Sequence, residues 1–213
     1  MALRFLPAVA LGAILFAPAM SAAPALAQHG PEGSPAPGWA SPPGNPPRAE
    51  RGQQAFSLDT LFGALKIAPD AESAKAIEER IWAVWIASGS DTCNVLMSRV
   101  KAASDEKDYE LAIKLLDAIV ALKPDYTEAR NRRATIYYLQ KDYGNALADI
   151  REVLAREPRH FGALSGLGLI LQEIGDDKHA LEAYRKALAI DPHLEHLPDV
   201  VKTLSEKVEG RDI

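Results

Sequence analysis

Few residues in this 213-residue chain have the type and spacing that catalysis requires. The sequence contains no Walker A, GxSxG, HExxH or dinucleotide-binding motif. His193 and His196 flank Glu195 and could form a weak metal site, although a polar surface linker between helices is the favoured interpretation. We therefore predict that the protein is not an enzyme and that it holds neither a cofactor nor a metal.

The clustered glycines and the single cysteine have structural explanations. Gly162, Gly166 and Gly168 suggest a phosphate-binding loop, but they fall inside a predicted helix with no strand before it, so close helix packing is favoured. Cys93 has no partner for an intrachain disulfide. It is expected to be a small, partly buried residue near the start of a helix, and pairing between two chains is the alternative.

The composition favours an ordinary folded protein and argues against two classes of partner. Hydrophobic residues make up 47% of the chain and charged residues 25%. The formal net charge is −5, and Lys and Arg are scattered among acids. Neither a basic footprint for nucleic acid nor a basic run for a membrane surface is present.

Residues 1–27 have the layout of a secretory signal peptide. Arg4 gives a short positive region, Phe5 to Phe16 is apolar, and Ala25-Leu26-Ala27 provides a small-x-small cleavage site. The apolar core is shorter than the ~20 residues that span a bilayer, so cleavage after Ala27 is favoured over an uncleaved anchor. We expect a soluble protein in the periplasm of a Gram-negative cell.

Residues 28–56 are predicted to be a disordered spacer. They contain seven prolines and five glycines and few aliphatic residues, so the buried apolar surface would not offset the entropy of ordering. Trp39 is the one large apolar residue there. It is either part of a short recognition motif or, as we favour, a lone aromatic in a tether.

A 34-residue period organises the rest of the chain. Units that begin at Cys93, Thr127 and Phe161 align in several columns. Proline at position 32 is expected to end the second helix of each unit, Asp at position 16 to cap it, and Ala at position 20 to allow the two helices to approach closely. These columns are Pro124, Pro158 and Pro192; Asp108, Asp142 and Asp176; and Ala112, Ala146 and Ala180.

These residues resemble the tetratricopeptide repeat (TPR) family over residues 93–194. The third unit matches best, through Leu167-Gly168, Gly175-Asp176, Ala180, Tyr184, Ala187 and Pro192. The family's tryptophan at position 4 is replaced by Leu96, Arg130 and Leu164. The resemblance implies repeats at 93–126, 127–160 and 161–194, stacked as a right-handed all-α solenoid.

Helical segments are predicted on both sides of the repeats. Residues 57–92 form a helical hairpin that is expected to cap the first repeat. Trp82 and Trp85 are near neighbours on its surface; core packing against Leu96 or Val100 is favoured over a stacking site for a partner. Residues 195–213 are predicted to be a polar-backed capping helix and tail, with Val201, Leu204 and Val208 facing inward.

The family resemblance also implies a partner-binding groove lined by positions 2, 5, 6, 9 and 12 of each first helix. Lys101, Asn131 and Arg132 would form a polar, net-positive centre with apolar contact beside it, which suits an extended peptide or a carboxylate-bearing segment. Met97, Gly162 and Gly166 depart from the family's two-carboxylate clamp, so a clamp of that kind is not expected. The candidate contacts are Met97, Lys101, Asn131, Arg132, Thr135, Tyr138, Ser165 and Leu169.

The sequence therefore predicts a periplasmic scaffold or adaptor that binds a protein or peptide during cell-envelope assembly or maintenance. Two alternatives stay open. One is a homo-oligomeric structural protein that associates through exposed hairpin faces. The other, less favoured, is an enzyme or small-ligand protein acting on cell-wall sugars through its acids and tryptophans. The identity of the partner is not encoded in any motif.

Overall fold

A computed structural model describes residues 57–210. The predicted signal peptide, the spacer and Trp39 lie outside these residues. Within them the chain forms nine helices and no strands, which confirms the all-α prediction. The helices are α1 (Leu58–Lys66), α2 (Ala71–Ile86), α3 (Asp91–Asp105), α4 (Tyr109–Leu122), α5 (Thr127–Leu139), α6 (Tyr143–Arg156), α7 (Phe161–Glu173), α8 (Asp177–Ile190) and α9 (Leu197–Val208).

Three helical hairpins, α3–α4, α5–α6 and α7–α8, form the repeats, and the aspartates at position 16 cap their second helices. The side chains of Asp108, Asp142 and Asp176 accept hydrogen bonds from backbone N–H groups three residues later, at 3.0, 3.1 and 3.3 Å. Each bond satisfies a donor that the first turn of a helix would otherwise leave unpaired. The capping prediction is confirmed in every repeat.

The prolines at position 32 end these helices as expected. The residues before them, Lys123, Glu157 and Asp191, have ψ angles of 80°, 87° and 97°, outside the helical region. Proline excludes its predecessor from the α conformation by steric contact. The chain therefore leaves each second helix one residue before the proline and enters the next repeat after a short loop.

Small residues set the distance between paired helices. Ala112, Ala146 and Ala180 are fully buried. A Cβ atom on Gly168 would overlap the ring of Tyr184, so this glycine is needed for α7 to approach α8. Gly168 is therefore a packing residue, as the sequence pattern indicated for the glycines of α7.

Helix α9 closes the carboxyl end of the array. Leu197 and Leu204 are buried in one cluster with Leu181 and Tyr184, and Val201 and Val208 pack against it. The ion pair between Arg185 and Glu209, at 2.6 Å, joins α8 to the end of α9. The predicted inward face of the capping helix is confirmed.

The N-terminal hairpin, α1–α2, does not lie on the first repeat as the sequence pattern suggested. Its apolar residues form a core cluster with Phe161, at the start of the third repeat, and with Ile190 and Leu194 beyond it. Trp85 packs against Phe62, His160 and Phe161 rather than against Leu96 or Val100. The aromatic surface at the start of α7 explains the difference, because it matches the rings that α2 presents.

The turn between the paired helices gives a test of backbone strain. Lys107, Lys141 and Gly175 occupy the same position, with φ angles of 61°, 61° and 84°. A side chain in this left-handed region costs about 1 kcal/mol, and glycine avoids that cost. We expect Lys141→Gly to raise the melting temperature by about 3 °C.

The matched variant is Gly175→Lys, because a Cβ on Gly175 meets no atom within 4 Å. It should lower the melting temperature by a similar amount through the backbone alone. Thermal unfolding followed by circular dichroism measures both variants. Equal melting temperatures for Gly175→Lys and the parent chain would contradict the strain argument.

Candidate functional site

The first helices of the three repeats, α3, α5 and α7, carry the residues that the family resemblance assigns to a groove. We call positions 2, 5, 6, 9 and 12 of these helices the groove face. Of the candidates, Lys101 is exposed, and Met97 is only 8% exposed and packs in the core of the first repeat. Met97 therefore has little surface to offer a partner. The half-buried candidates are Asn131, Arg132, Thr135, Tyr138, Ser165 and Leu169.

The positive charges of the groove face are offset by acids on the same helices. The Lys101 ammonium lies 2.6 Å from Asp105, and both side chains are about half exposed. Arg132 donates from Nε to Glu128 at 2.8 Å, and Asn131 donates from its side chain to the same carboxylate at 3.1 Å. Glu128 is only 2% exposed, so Arg132 has the structural role of neutralising a buried charge.

A second arginine of α5, Arg133, joins two repeats. Arg133 donates two hydrogen bonds of 2.7 Å to Asp149 on α6 and one of 2.5 Å to Asp117 on α4. These bonds to the carboxylates raise the pKa of Arg133 above its already high value. The bidentate pair with Asp149 joins α5 to α6, and the bond to Asp117 joins α5 to α4.

The remaining candidates form a neutral stripe on α5 and α7, two helices in contact with each other. Thr135 donates its hydroxyl to the carbonyl of Asn131 at 3.1 Å. The ring of Tyr138 lies 6.0 Å from that of Tyr143, and burial raises the pKa of its hydroxyl. With Ser165 and Leu169 this stripe offers hydroxyl groups and apolar surface rather than charge.

Helix α2 covers the end of the groove face where α7 begins. The indole of Trp85 stacks on the imidazole of His160, with ring centres 4.0 Å apart and planes 5° apart. Trp82 meets Phe161 edge to face at 5.6 Å. A Cβ on Gly162, at position 2 of its repeat, would lie 2.9 Å from the Trp82 ring. The protein's own hairpin therefore covers Gly162.

Polar contacts fasten the hairpin to the two loops between repeats and to the loop between the third repeat and α9. The Tyr126 hydroxyl donates to the carbonyl of Ile86 at 2.7 Å. Arg159 pairs with Asp59 at 2.7 Å and lies over the ring of Phe62. His193 donates from Nε2 to the carbonyl of Ala68 at 3.1 Å. The hairpin thus crosses the ends of all three repeats.

Two carboxyl groups meet beneath this hairpin. Asp191 is fully buried; its Oδ1 accepts from the His193 backbone N–H at 3.0 Å, while its Oδ2 has no N–H or hydroxyl partner. Burial and the nearby charge of Asp191 raise the pKa of Glu78 to about 7. Burial also raises the pKa of Asp191. Glu78 therefore binds a proton more readily in the folded chain than in the unfolded one.

The described residues give little support to other kinds of site. Residues 57–210 contain no group of three or more His, Cys, Asp and Glu residues placed to hold a metal. His193 is bound to the carbonyl of Ala68 in the hairpin, while His196 and Glu195 are exposed. In the same part of the chain, no helix has the length and apolarity needed to cross a membrane.

Three stacked helical hairpins with a shared groove face define the α-solenoid class of repeat proteins. A model of the tetratricopeptide repeat matches residues 98–152 and 142–195. A TPR repeat-containing protein from Rhizobium etli is 42% identical over 153 residues, which cover 72% of this chain and 75% of that protein. The chain belongs to the TPR family.

Other relatives are more distant. DnaJ homolog subfamily C member 3 from Gallus gallus is 28% identical over 157 residues, which span 30% of that protein. The TPR domain of Sgt2 from Aspergillus fumigatus is similar in structure, with a TM-score of 0.53, 25% identity, and 56% and 81% of the two chains covered. The first TPR of Spaghetti, bound to an HSP90 peptide, has a TM-score of 0.53 at 18% identity, covering 56% of this chain and 95% of that chain.

The carboxyl pair predicts how stability depends on pH. Because the folded-state pKa of Glu78 lies above its ordinary value of 4.5, stability should fall as pH rises from about 4.5 to about 7 and then level off. In Glu78→Gln the amide donates to Asp191 at every pH. Its melting temperature should therefore lose this dependence and exceed that of the parent at pH 8.

The matched control is Glu79→Gln, since Glu79 is exposed and adjacent. Melting temperatures of the three chains are compared between pH 4.5 and 8 at constant ionic strength. Glu79→Gln should follow the parent curve. If the curves of the parent and Glu78→Gln run parallel, folding does not raise the pKa of Glu78.

Proposed function

We propose that this chain is a periplasmic adaptor that binds a protein or peptide partner along its groove face, in the assembly or maintenance of the cell envelope. The observation that carries the proposal is the neutral stripe of Thr135, Tyr138, Ser165 and Leu169. These side chains are half-buried on two touching helices. Their hydroxyl groups and apolar surface suit an extended segment, which needs hydrogen bonds and shallow pockets.

The charge of the groove face favours a neutral partner segment over an acidic one. In the Spaghetti neighbour the bound HSP90 peptide is SRMEEVD, which is rich in acids. In this chain Arg132 already binds the buried Glu128, and Lys101 lies against Asp105. Recruiting Arg132 to a carboxylate of a partner would leave Glu128 without its cation, at a substantial desolvation cost.

Export is supported by the sequence alone. Arg4, the apolar run from Phe5 to Phe16 and the Ala25-Leu26-Ala27 site have the order of a signal peptide. A role in the envelope follows from combining export with a repeat fold whose relatives bind protein segments, as the Spaghetti neighbour does. A catalytic role has no comparable support, since none of the motifs for common reactions is present.

Substitutions on the stripe test the proposal. Thr135→Arg and Leu169→Arg place a bulky charge where the partner would lie, and each should lower partner recovery by about tenfold. Both side chains are half-buried, Thr135 on α5 and Leu169 on α7, so the fold tolerates a long side chain that extends into solvent. Recovery is measured by cross-linking and affinity capture from a periplasmic extract.

The matched control is Ala148→Arg, at an exposed position on α6, which should leave recovery unchanged. Equal losses in all three variants would indicate a general effect of added charge and contradict the groove assignment. Recovery of the chain itself in the cytoplasmic fraction would contradict the export part of the proposal separately.

A further inference from the structure

Among residues 57–210, no segment covers the outer face of the first repeat, because the N-terminal hairpin packs near the third repeat. The exposure of positions 3 and 10, on the first helix of each repeat, differs between the first repeat and the other two. In the second and third repeats these positions are Ala129, Ile136, Ala163 and Ile170, all at most 4% exposed because the preceding repeat covers them. In the first repeat they are Val95, 56% exposed, and Ala102, also exposed.

The second helix of the first repeat adds apolar residues to this face. A groove of about 500 Å³ between the second and third repeats is lined by His179, Ala183 and Lys186, so positions 19, 23 and 26 point toward the preceding repeat. In the first repeat the same positions are Leu111, Leu115 and Ala118. One further turn along α4 lies Leu122, which is 62% exposed.

We propose that this face, formed by α3 and α4 and centred on Val95 and Leu122, binds a second copy of the chain. It continues the surface by which the repeats bind one another inside the molecule, and within residues 57–210 that surface is apolar and open only here. Extension of the array from head to tail is disfavoured, since α9 closes the other end and exposes Asp199, Lys202 and Glu206. Two copies therefore meet through the same face, about a two-fold axis.

The charges of α3 fix the direction of this contact. Asp91 and Arg99 lie four residues before and after Val95, on the same side of the helix and both exposed. When two α3 helices cross antiparallel at Val95, Asp91 of each copy faces Arg99 of the other. A parallel arrangement would instead oppose like charges, so the antiparallel pairing is the complementary one.

The size of the face sets the expected strength of the dimer. Helix α3 has 15 residues and α4 has 14, so the pair measures about 22 Å by 20 Å. This flat area of about 450 Å² per copy is below the ~800 Å² per partner of a stable complex. A dissociation constant in the micromolar range follows, and the dimer should be concentration-dependent.

Charge exchange tests the proposal with exposed residues only. Sedimentation equilibrium of the purified chain over about 5–500 µM measures the dissociation constant. Asp91→Arg and Arg99→Asp each place like charges opposite one another and should raise the constant about tenfold. The double variant restores opposite charges and should return the constant to within about threefold of the parent value.

Val95→Glu should leave the chain monomeric, whereas Ile174→Glu, at an exposed apolar residue that ends α7 in the third repeat, should have no effect. Thermal unfolding of each variant establishes that it is folded. A parent chain that stays monomeric over the whole range overturns the proposal. So does a dimer that survives Val95→Glu, or a double variant that is no tighter than the single ones.

Discussion

The stack of Trp85 on His160 decides where the N-terminal hairpin lies, and the surfaces of the molecule follow from that position. His160 is fully buried at the start of α7, and the indole of Trp85 covers one plane of its ring. With Trp82 and Phe161 the indole completes an aromatic cluster. Contacts of this kind add to the large apolar area that each ring buries.

Docking at the third repeat has two consequences for binding. It covers Gly162 at one end of the groove face, so the surface open to a partner shifts toward Thr135, Tyr138 and Leu169. It also leaves the outer face of the first repeat without the cover that each later repeat receives from its predecessor. The hairpin thereby separates a neutral stripe suited to a partner segment from an apolar end suited to a second copy.

Local features could be predicted from the sequence because their physical causes are local. Proline at position 32, aspartate at position 16 and alanine at position 20 act on neighbours within a turn or on the paired helix, so the repeats followed from their spacing. The ion pair of Glu128 and Arg132 could also be predicted, because residues four apart on one helix are neighbours. The burial of Glu128 beside His160 could not be predicted from the sequence, because it depends on where the hairpin docks.

The location of the hairpin was not predictable for the same reason. The spacing of Ile81 and Trp85 identifies an apolar helix face but says nothing of which distant surface receives it. The hairpin precedes the first repeat in the sequence, which favoured docking there. Its aromatic rings instead pack against those at the start of the third repeat. Glu78 and Asp191 come together only when the hairpin docks, because Glu78 lies on α2 and Asp191 follows α8.

The nuclear Overhauser effects of the Trp85 indole test this position most directly. With ring centres 4.0 Å apart and planes 5° apart, the indole protons should give strong cross-peaks to the imidazole protons of His160 and weaker ones to the Phe161 ring. Cross-peaks from Trp85 to the methyl groups of Leu96 and Val100, in place of those to His160, would show that the hairpin caps the first repeat and would contradict the account.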